Sequence, residues 1–224
     1  MMQCEWYYNT PVLHLTELNQ HLRRNAYYVW IHPYFPILPA PESIVAAEQV
    51  VPLYESQGNE LVEPSSAISL AISAVLALIP CPADANPLDP ASVAWRRKYS
   101  QFLAKSALES IESESERPES SFEPSKALAD FDEETPRDRF HPDVPVELES
   151  IIALDMLSVY EYAQRGNLKK MRTRAGSALV SAMSQYLHKR CEVEEENTEA
   201  RRRVWWMTYL CVSQASVLSN TVRF

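Results

Sequence analysis

With 224 residues, 46% of them hydrophobic, the chain is long enough to build one helical domain around a core of its own. Its formal net charge of −9 argues against a protein that wraps nucleic acid through its overall field. Only 3 glycines stand against 16 prolines, which favours helices separated by proline over tight hairpins. We therefore predict an all-α fold, an irregular multi-helix domain with antiparallel helix pairs.

The first predicted helix begins near residue 10 and ends at a cluster of prolines. Thr10 and Pro11 have the form of an N-cap and a first helical residue. Residues 32–39, HPYFPILP, come after the helix, and each proline disfavours the α conformation in the residue before it. Because this cluster is also apolar, we expect an extended corner that packs on the core.

Two further helices are predicted in the first half of the chain. Ser65 or Ser66 is expected to cap the most hydrophobic segment, residues 67–79. The dipeptide Asp89-Pro90 has the form of another helix start, and apolar residues recur at helical spacing after it.

An acidic segment follows these helices. Residues 112–149 contain thirteen acidic and four basic side chains, an excess that equals the net charge of the whole chain. Residues 112–145 also contain five prolines, so we predict a long, acidic, disordered insertion. Its phenylalanines leave a second interpretation open, an acidic activation segment. These are Phe122, Phe131 and Phe140.

Three more helices are predicted after the insertion. Residues 146–165 form the first, Gly166 has the position of a C′ glycine, and Asn167 is expected to cap the next helix. So short a connection predicts an antiparallel pair. The last helix is expected from Asn197 to Thr221. The prediction rests on residues that recur at helical spacing: Val204, Met207, Leu210, Cys211, Gln214 and Leu218.

These elements divide the chain into four parts. Residues 1–9 are an N-terminal tail and residues 10–111 the first helical part. The acidic insertion covers residues 112–145, and residues 146–224 are the second helical part.

No pattern of catalytic or metal-binding residues stands out. The sequence has no glycine-rich phosphate loop, no GxSxG and no HExxH, and its 5 histidines are scattered. The 4 cysteines include no CxxC pair; His188 and Cys191 lie three apart, which is a weak metal signal. We predict no enzyme, no cofactor and no metal site. We also predict no membrane span, because the apolar residues 67–79 fall short of the roughly 18 that a span needs.

The start of the last helix allows three interpretations: a nucleic-acid surface, a lock between helices, or a helix whose rings and arginine stems are buried. It carries three arginines and three aromatic rings: Arg201, Arg202, Arg203, Trp205, Trp206 and Tyr209. A nucleic-acid surface would need these groups to be free. Since Glu199 lies four residues before Arg203, we favour rings buried in the core with arginine stems over them. Replacing Trp205 or Trp206 by alanine should then unfold the domain, at about 3–5 kcal/mol.

Three segments together resemble the middle homology region of fungal transcription factors that carry a binuclear zinc cluster. The first is the corner, with His32, Pro33, Phe35 and Pro36; the second is the helix pair, with Tyr162, Gly166, Asn167 and Gly176; the third is Glu199–Tyr209, with Arg203, Trp205, Trp206 and Tyr209. They occur in the family's order across residues 12–220, with the insertion as a gap.

The resemblance implies an all-helical regulatory domain that controls transcription through protein contacts or metabolite sensing. It implies a nuclear location, with the cytoplasm second, and partners that are transcription proteins, a homo- or heterodimer partner, or a small-molecule effector. The family reads DNA with a separate zinc cluster of six cysteines, which this chain lacks. We therefore expect no specific DNA binding by this chain, and a fold shortened at its C-terminus relative to the family.

A different class of protein is the alternative. Residues 160–168, followed by residues 174–178, resemble one helix-turn-helix unit of a tetratricopeptide repeat. No 34-residue period recurs in the chain. The alternative is therefore a stand-alone, all-helical protein-interaction scaffold of tetratricopeptide-like type.

Overall fold

The computed structural model describes residues 20–41, 65–80, 86–116, 139–189 and 197–218. Within these residues the protein consists of six α-helices and contains no strand, which confirms the all-α prediction. The helices are α1 (Gln20–Trp30), α2 (Ala67–Leu76), α3 (Pro90–Ser115), α4 (Val146–Arg165), α5 (Leu168–Ser184) and α6 (Thr198–Leu218). None of them is long and apolar enough to cross a membrane.

Helix α1 ends where the proline cluster begins, as predicted. After Trp30 the chain makes a turn and then runs extended through Ile37 and Leu38, both of which are fully buried. The Tyr27 hydroxyl donates a hydrogen bond to the Phe35 carbonyl (2.7 Å) and accepts one from the Leu38 amide (3.2 Å). Residues 31–39, hereafter the corner, therefore pack on the core. The predicted helix start at residue 10 lies outside the described residues.

Side-chain caps fix the starts of α2 and α3. The Ser66 hydroxyl accepts a hydrogen bond from the Ser69 amide (3.2 Å), which makes Ser66 rather than its neighbour the N-cap of α2. The Asp89 carboxylate accepts from the Ala91 amide (3.0 Å), with Pro90 as the first helical residue of α3. Helix α2 is buried along nearly its whole length but ends at Leu76, short of the predicted residue 79.

Helix α4 lies at the centre of the fold. It packs against α2, α3, α5 and α6, and more than half of its residues are buried. Gly166 ends it with the left-handed φ of 59°, and the Asn167 side chain accepts a hydrogen bond from the Lys170 amide (3.0 Å) at the start of α5. The Gln185 side chain, just after α5, donates to the Glu147 carbonyl in the first turn of α4 (2.9 Å). The predicted antiparallel pair is therefore confirmed.

The predicted insertion is too wide at both ends. Helix α3 continues through Ser115, past the predicted boundary at residue 111, and the Ser150 hydroxyl of α4 donates a hydrogen bond to the Glu114 carboxylate in this added turn. At the other end, Phe140 and Val144 are each only 1% exposed, and the Phe140 amide donates to the buried Glu149 carboxylate (2.7 Å). Phe140 is thus a core residue and no part of an activation segment. Residues 117–138 lie outside the described residues.

Helix α6 packs partly through the residues whose spacing predicted it, because Val204 and Cys211 are buried and Met207 and Leu218 are half-buried against the core clusters. Its buried residues are small: Ala200, Val204, Thr208, Cys211 and Ala215. Two other residues of that spacing lie outside the packed face: Leu210 is 55% exposed, and Gln214 is exposed as well. Helix α6 packs closely against α4 and α5, and close packing requires small side chains at the contact. Side-chain size, more than hydrophobicity, therefore decides which residues of α6 are buried.

Candidate functional site

The corner and the start of α6 contact each other, although more than 160 residues separate them. The Arg203 guanidinium lies 3.5 Å from the Pro36 carbonyl and forms an ion pair with Glu199 (2.7 Å). The His32 ring nitrogen Nδ1 lies 3.3 Å from the Tyr27 hydroxyl. Burial lowers the pKa of His32, and the positive charge of Arg203 lowers it further. His32 is therefore a neutral packing residue at pH 7, and Pro33, beside it, is exposed.

Phe35 connects the corner to both parts of the core. Its half-buried ring packs against the main core and against a smaller cluster between α5 and α6. The buried members of that cluster are Met171, Ala175, Cys211 and Ala215. The corner and α6, two of the three segments that carry the family resemblance, therefore meet at a cluster to which α5 of the helix pair also contributes.

The named residues of the remaining segment shape the helix pair itself. Gly166 and Asn167 form the α4–α5 connection described above, and Tyr162 is 37% exposed near the end of α4. A methyl group built at Gly176 would meet no atom within 4 Å, so packing does not explain a glycine at this position.

The two tryptophans of α6 differ in environment. Trp205 is half-buried, packs against the core, and its ring centroid lies 5.9 Å from that of His188. Trp206 is 57% exposed and Tyr209 52% exposed, and their rings contact each other edge to face at 6.1 Å. The prediction that all these rings lie in the core is wrong for Trp206 and Tyr209, which are on the helix face that points away from α4 and α5.

The arginines of α6 have partners among the described residues. Arg201 donates to the Gln185 carbonyl (3.0 Å), and Glu199 pairs with Arg202 (3.6 Å) and Arg203 (2.7 Å). The spacing of four residues between Glu199 and Arg203 therefore gives an ion pair in the fold. A nucleic-acid surface would need free cations beside free rings, and here the cations are engaged.

A buried acid lies between α4 and α6. Asp155 is fully buried, and its Oδ2 accepts a hydrogen bond from the Thr208 hydroxyl (2.6 Å). The Cys211 sulfur lies 4.0 Å from the Asp155 carbonyl oxygen. Burial raises the pKa of the Asp155 carboxyl to about 8 and also raises the pKa of the Cys211 thiol. Both groups are therefore protonated at neutral pH, and neither is a nucleophile or base.

Sequence reasoning did not single out Asp155. The available signal was an aspartate within the apolar run IIALDMLS, at a position where helical spacing places core residues. A buried carboxyl that stays neutral and donates or accepts one hydrogen bond fits such a position.

A partly open cavity of about 220 Å³ lies beside the corner. Trp30, Tyr34 and Phe35 line it from the end of α1 and the corner, and Val75 and Leu78 line it from the end of α2. One face of the C-terminal half of α4 completes it: Met156, Val159, Tyr160, Ala163 and Gln164. None of these lining residues is charged. Apart from the aromatic corner, no sequence pattern indicates the cavity.

No group of three or more metal-ligating side chains occurs within the described ranges. Cys211 is a buried free thiol. Cys191, the other half of the weak metal pair with His188, lies outside the described residues.

Comparison with family models, with curated proteins and with solved structures gives no match to this chain. The resemblance to the fungal regulatory region therefore stays a prediction from three sequence segments.

Proposed function

We propose that the chain is a regulatory domain of the fungal zinc-cluster transcription factor type, which controls transcription through protein contacts or a small-molecule effector. It acts in the nucleus and leaves DNA reading to a zinc cluster that it lacks. The observation that carries the proposal is the contact between the corner and α6. Two segments that carry the resemblance, distant in sequence, share Arg203, Pro36 and Phe35 as contact residues.

The exposed face of α6 supports action through protein contacts. Trp206, Tyr209 and Leu210 are each more than half exposed, and Val217 is 78% exposed. Spacings of three, four and seven residues place them on one side of the helix. Large aromatic residues on a folded surface are the groups that most often anchor protein partners.

A tethering experiment tests the proposal. The whole chain is fused to an unrelated DNA-binding domain in yeast, and transcription of a reporter with the matching binding site is measured. We expect the fusion to change reporter output at least about threefold relative to the DNA-binding domain alone. Unchanged output in both inducing and repressing reporter formats would contradict the proposal.

A double variant separates the regulatory surface from the fold. Trp206→Ala combined with Tyr209→Ala should abolish the reporter response, because it removes two exposed rings, while far-ultraviolet circular dichroism stays unchanged. Phe102→Ala is the matched control, since Phe102 is 62% exposed on α3. It should leave the response intact.

The protein-interaction scaffold remains a second candidate, and the same exposed face of α6 favours it. A scaffold binds its partner through these rings without any effect on a promoter. The tethered chain would then leave reporter output unchanged, and the double variant would lose partner binding.

A further inference from the structure

The cavity beside the corner has a size and lining that suit a small molecule. We propose that it binds a small, uncharged, aromatic compound. The role of the cavity as the effector site of a regulatory domain rests on the proposed function. Its ability to bind a ligand rests on the cavity alone. Its test measures binding and no transcription, so either proposal can fail without the other.

The volume limits the size of the ligand. An engineered apolar cavity of about 150 Å³ binds benzene, and pockets for drug-sized compounds begin near about 300 Å³. The cavity of about 220 Å³ lies between these. A ligand of about eight to ten non-hydrogen atoms, such as a benzene ring with a short substituent or a fused bicycle, fits this range.

The lining fixes the chemistry. Three aromatic side chains, Trp30, Tyr34 and Phe35, face an aliphatic wall with Val75 and Leu78, and no lining residue is charged. A carboxylate or phosphate bound there would lose hydration without an ionic partner, which is costly. Aromatic rings, in contrast, gain edge-to-face or offset contacts with the rings of the wall. Carboxylates and phosphates are therefore excluded as the main recognition group.

The inner walls of the cavity are formed by buried residues that the core holds in place. Ile31, Met156 and Tyr160 are each at most 6% exposed, and the Tyr160 hydroxyl lies 3.2 Å from the buried Ser100 hydroxyl. The rings at the mouth are different, because Trp30 is 38% exposed and Tyr34 87% exposed. A bound aromatic molecule removes part of these rings from water, which favours binding.

Polar groups at the cavity are few. Among the lining residues, Gln164 carries an amide and the exposed Tyr34 a hydroxyl, whereas the Tyr160 hydroxyl is hydrogen-bonded to the buried Ser100. Sites of this kind combine an apolar lining with a small number of polar groups that orient the ligand. A ligand with one N–H or O–H group matches this composition better than a pure hydrocarbon.

Indole is the probe, because it has nine non-hydrogen atoms and a single N–H. Titration of the whole chain, followed by calorimetry or ligand-observed NMR, should show saturable binding to one site with a Kd below about 1 mM. Indole-3-acetate, which carries a carboxylate, should bind at least about tenfold more weakly. Equal affinity for the two compounds would overturn the assigned ligand class, and absence of saturable indole binding would overturn the site.

Substitution at Ala163 locates the binding. Ala163 is exposed and lines the cavity, so Ala163→Phe fills the space without disturbing the core. It should weaken indole binding at least about tenfold. Ala94→Phe is the matched control, because Ala94 is exposed on α3 and does not line the cavity. It should keep the affinity of the unmodified chain within about twofold.

Tyr34→Ala provides a second variant that preserves the fold, since it removes a ring that is 87% exposed. It should weaken indole binding as well. Unchanged affinity in both Ala163→Phe and Tyr34→Ala would overturn the proposal, because indole would then be bound elsewhere.

Discussion

Asp155 lies in the middle of an apolar helix, and its burial favours the protonated form of its carboxyl. Its carboxyl is fully buried, bonded to Thr208 (2.6 Å), and burial raises its pKa from 3.8 to about 8. The folded chain therefore holds a proton that the unfolded chain releases between about pH 4 and pH 8. The stability contributed by this group is fully present below about pH 4 and is lost as pH rises towards 8.

Asp155→Asn should remove this pH dependence. The asparagine oxygen still accepts a hydrogen bond but does not titrate. One proton corresponds to at most about 1.4 kcal/mol per pH unit. Between pH 5.5 and 7.5 the free energy of unfolding should therefore fall by up to about 2–3 kcal/mol more in the unmodified chain than in the variant. Urea denaturation of both proteins at both pH values measures this difference in the free energy of unfolding.

Glu147→Gln is the control for this experiment, because Glu147 is exposed in the first turn of the same helix. It should retain the pH dependence of the unmodified chain. An identical pH slope in Asp155→Asn would show that Asp155 is not the titrating group.

The tryptophans of α6 should differ in their contribution to stability. Trp205 packs against the core, whereas Trp206 is 57% exposed. Trp205→Ala should cost about 2–4 kcal/mol, and Trp206→Ala less than about 1 kcal/mol. Chemical denaturation of the two variants side by side measures this difference, and equal losses would contradict the observed packing.

At the scale of elements, two glycines, one directly after α4 and one inside α5, should have opposite effects on stability when each is replaced by alanine. Gly166 has a φ of 59°, a left-handed conformation that side chains other than glycine rarely adopt. Gly166→Ala should therefore destabilise the chain by about 1 kcal/mol. Gly176 lies inside α5, where an added methyl group meets nothing within 4 Å. Gly176→Ala should stabilise by about 0.5–1 kcal/mol. Thermal melting should show shifts of opposite sign.

Helix starts were the features best predicted from sequence. Ser66, Asp89 and Asn167 each accept hydrogen bonds from the helix amides that follow, and these are local interactions that short sequence patterns encode. The corner was predictable for the same reason, since proline restricts its own backbone and that of its neighbour.

The faces of the helices were predicted less well. The helical spacing in α6 includes Leu210, which is exposed, and omits the small Ala200 and Ala215, which are buried. Small residues are buried because α6 lies close to its neighbouring helices, and this distance is set only in the folded chain. The predicted bounds of the acidic insertion were wrong for a related reason, because composition does not reveal that Phe140 fits into the core.

At the scale of the whole molecule, the distribution of charge predicts behaviour towards DNA. The net charge is −9, and Arg201, Arg202 and Arg203 have partners in the fold. We expect no specific binding of duplex DNA by the chain at physiological salt, measured by fluorescence anisotropy with labelled duplexes. Sequence-dependent binding with a Kd below about 1 µM would contradict both this prediction and the engaged state of the arginines.

The sequence by itself determined the helical class, the caps, the proline corner and the α4–α5 connection, because each depends on interactions between residues a few positions apart. The tertiary structure decided which side of α6 is buried, that Asp155 lies between α4 and α6, and that the corner and α4 enclose a cavity. These features depend on the shapes of surfaces that meet only in the folded chain, and no spacing within one segment encodes them.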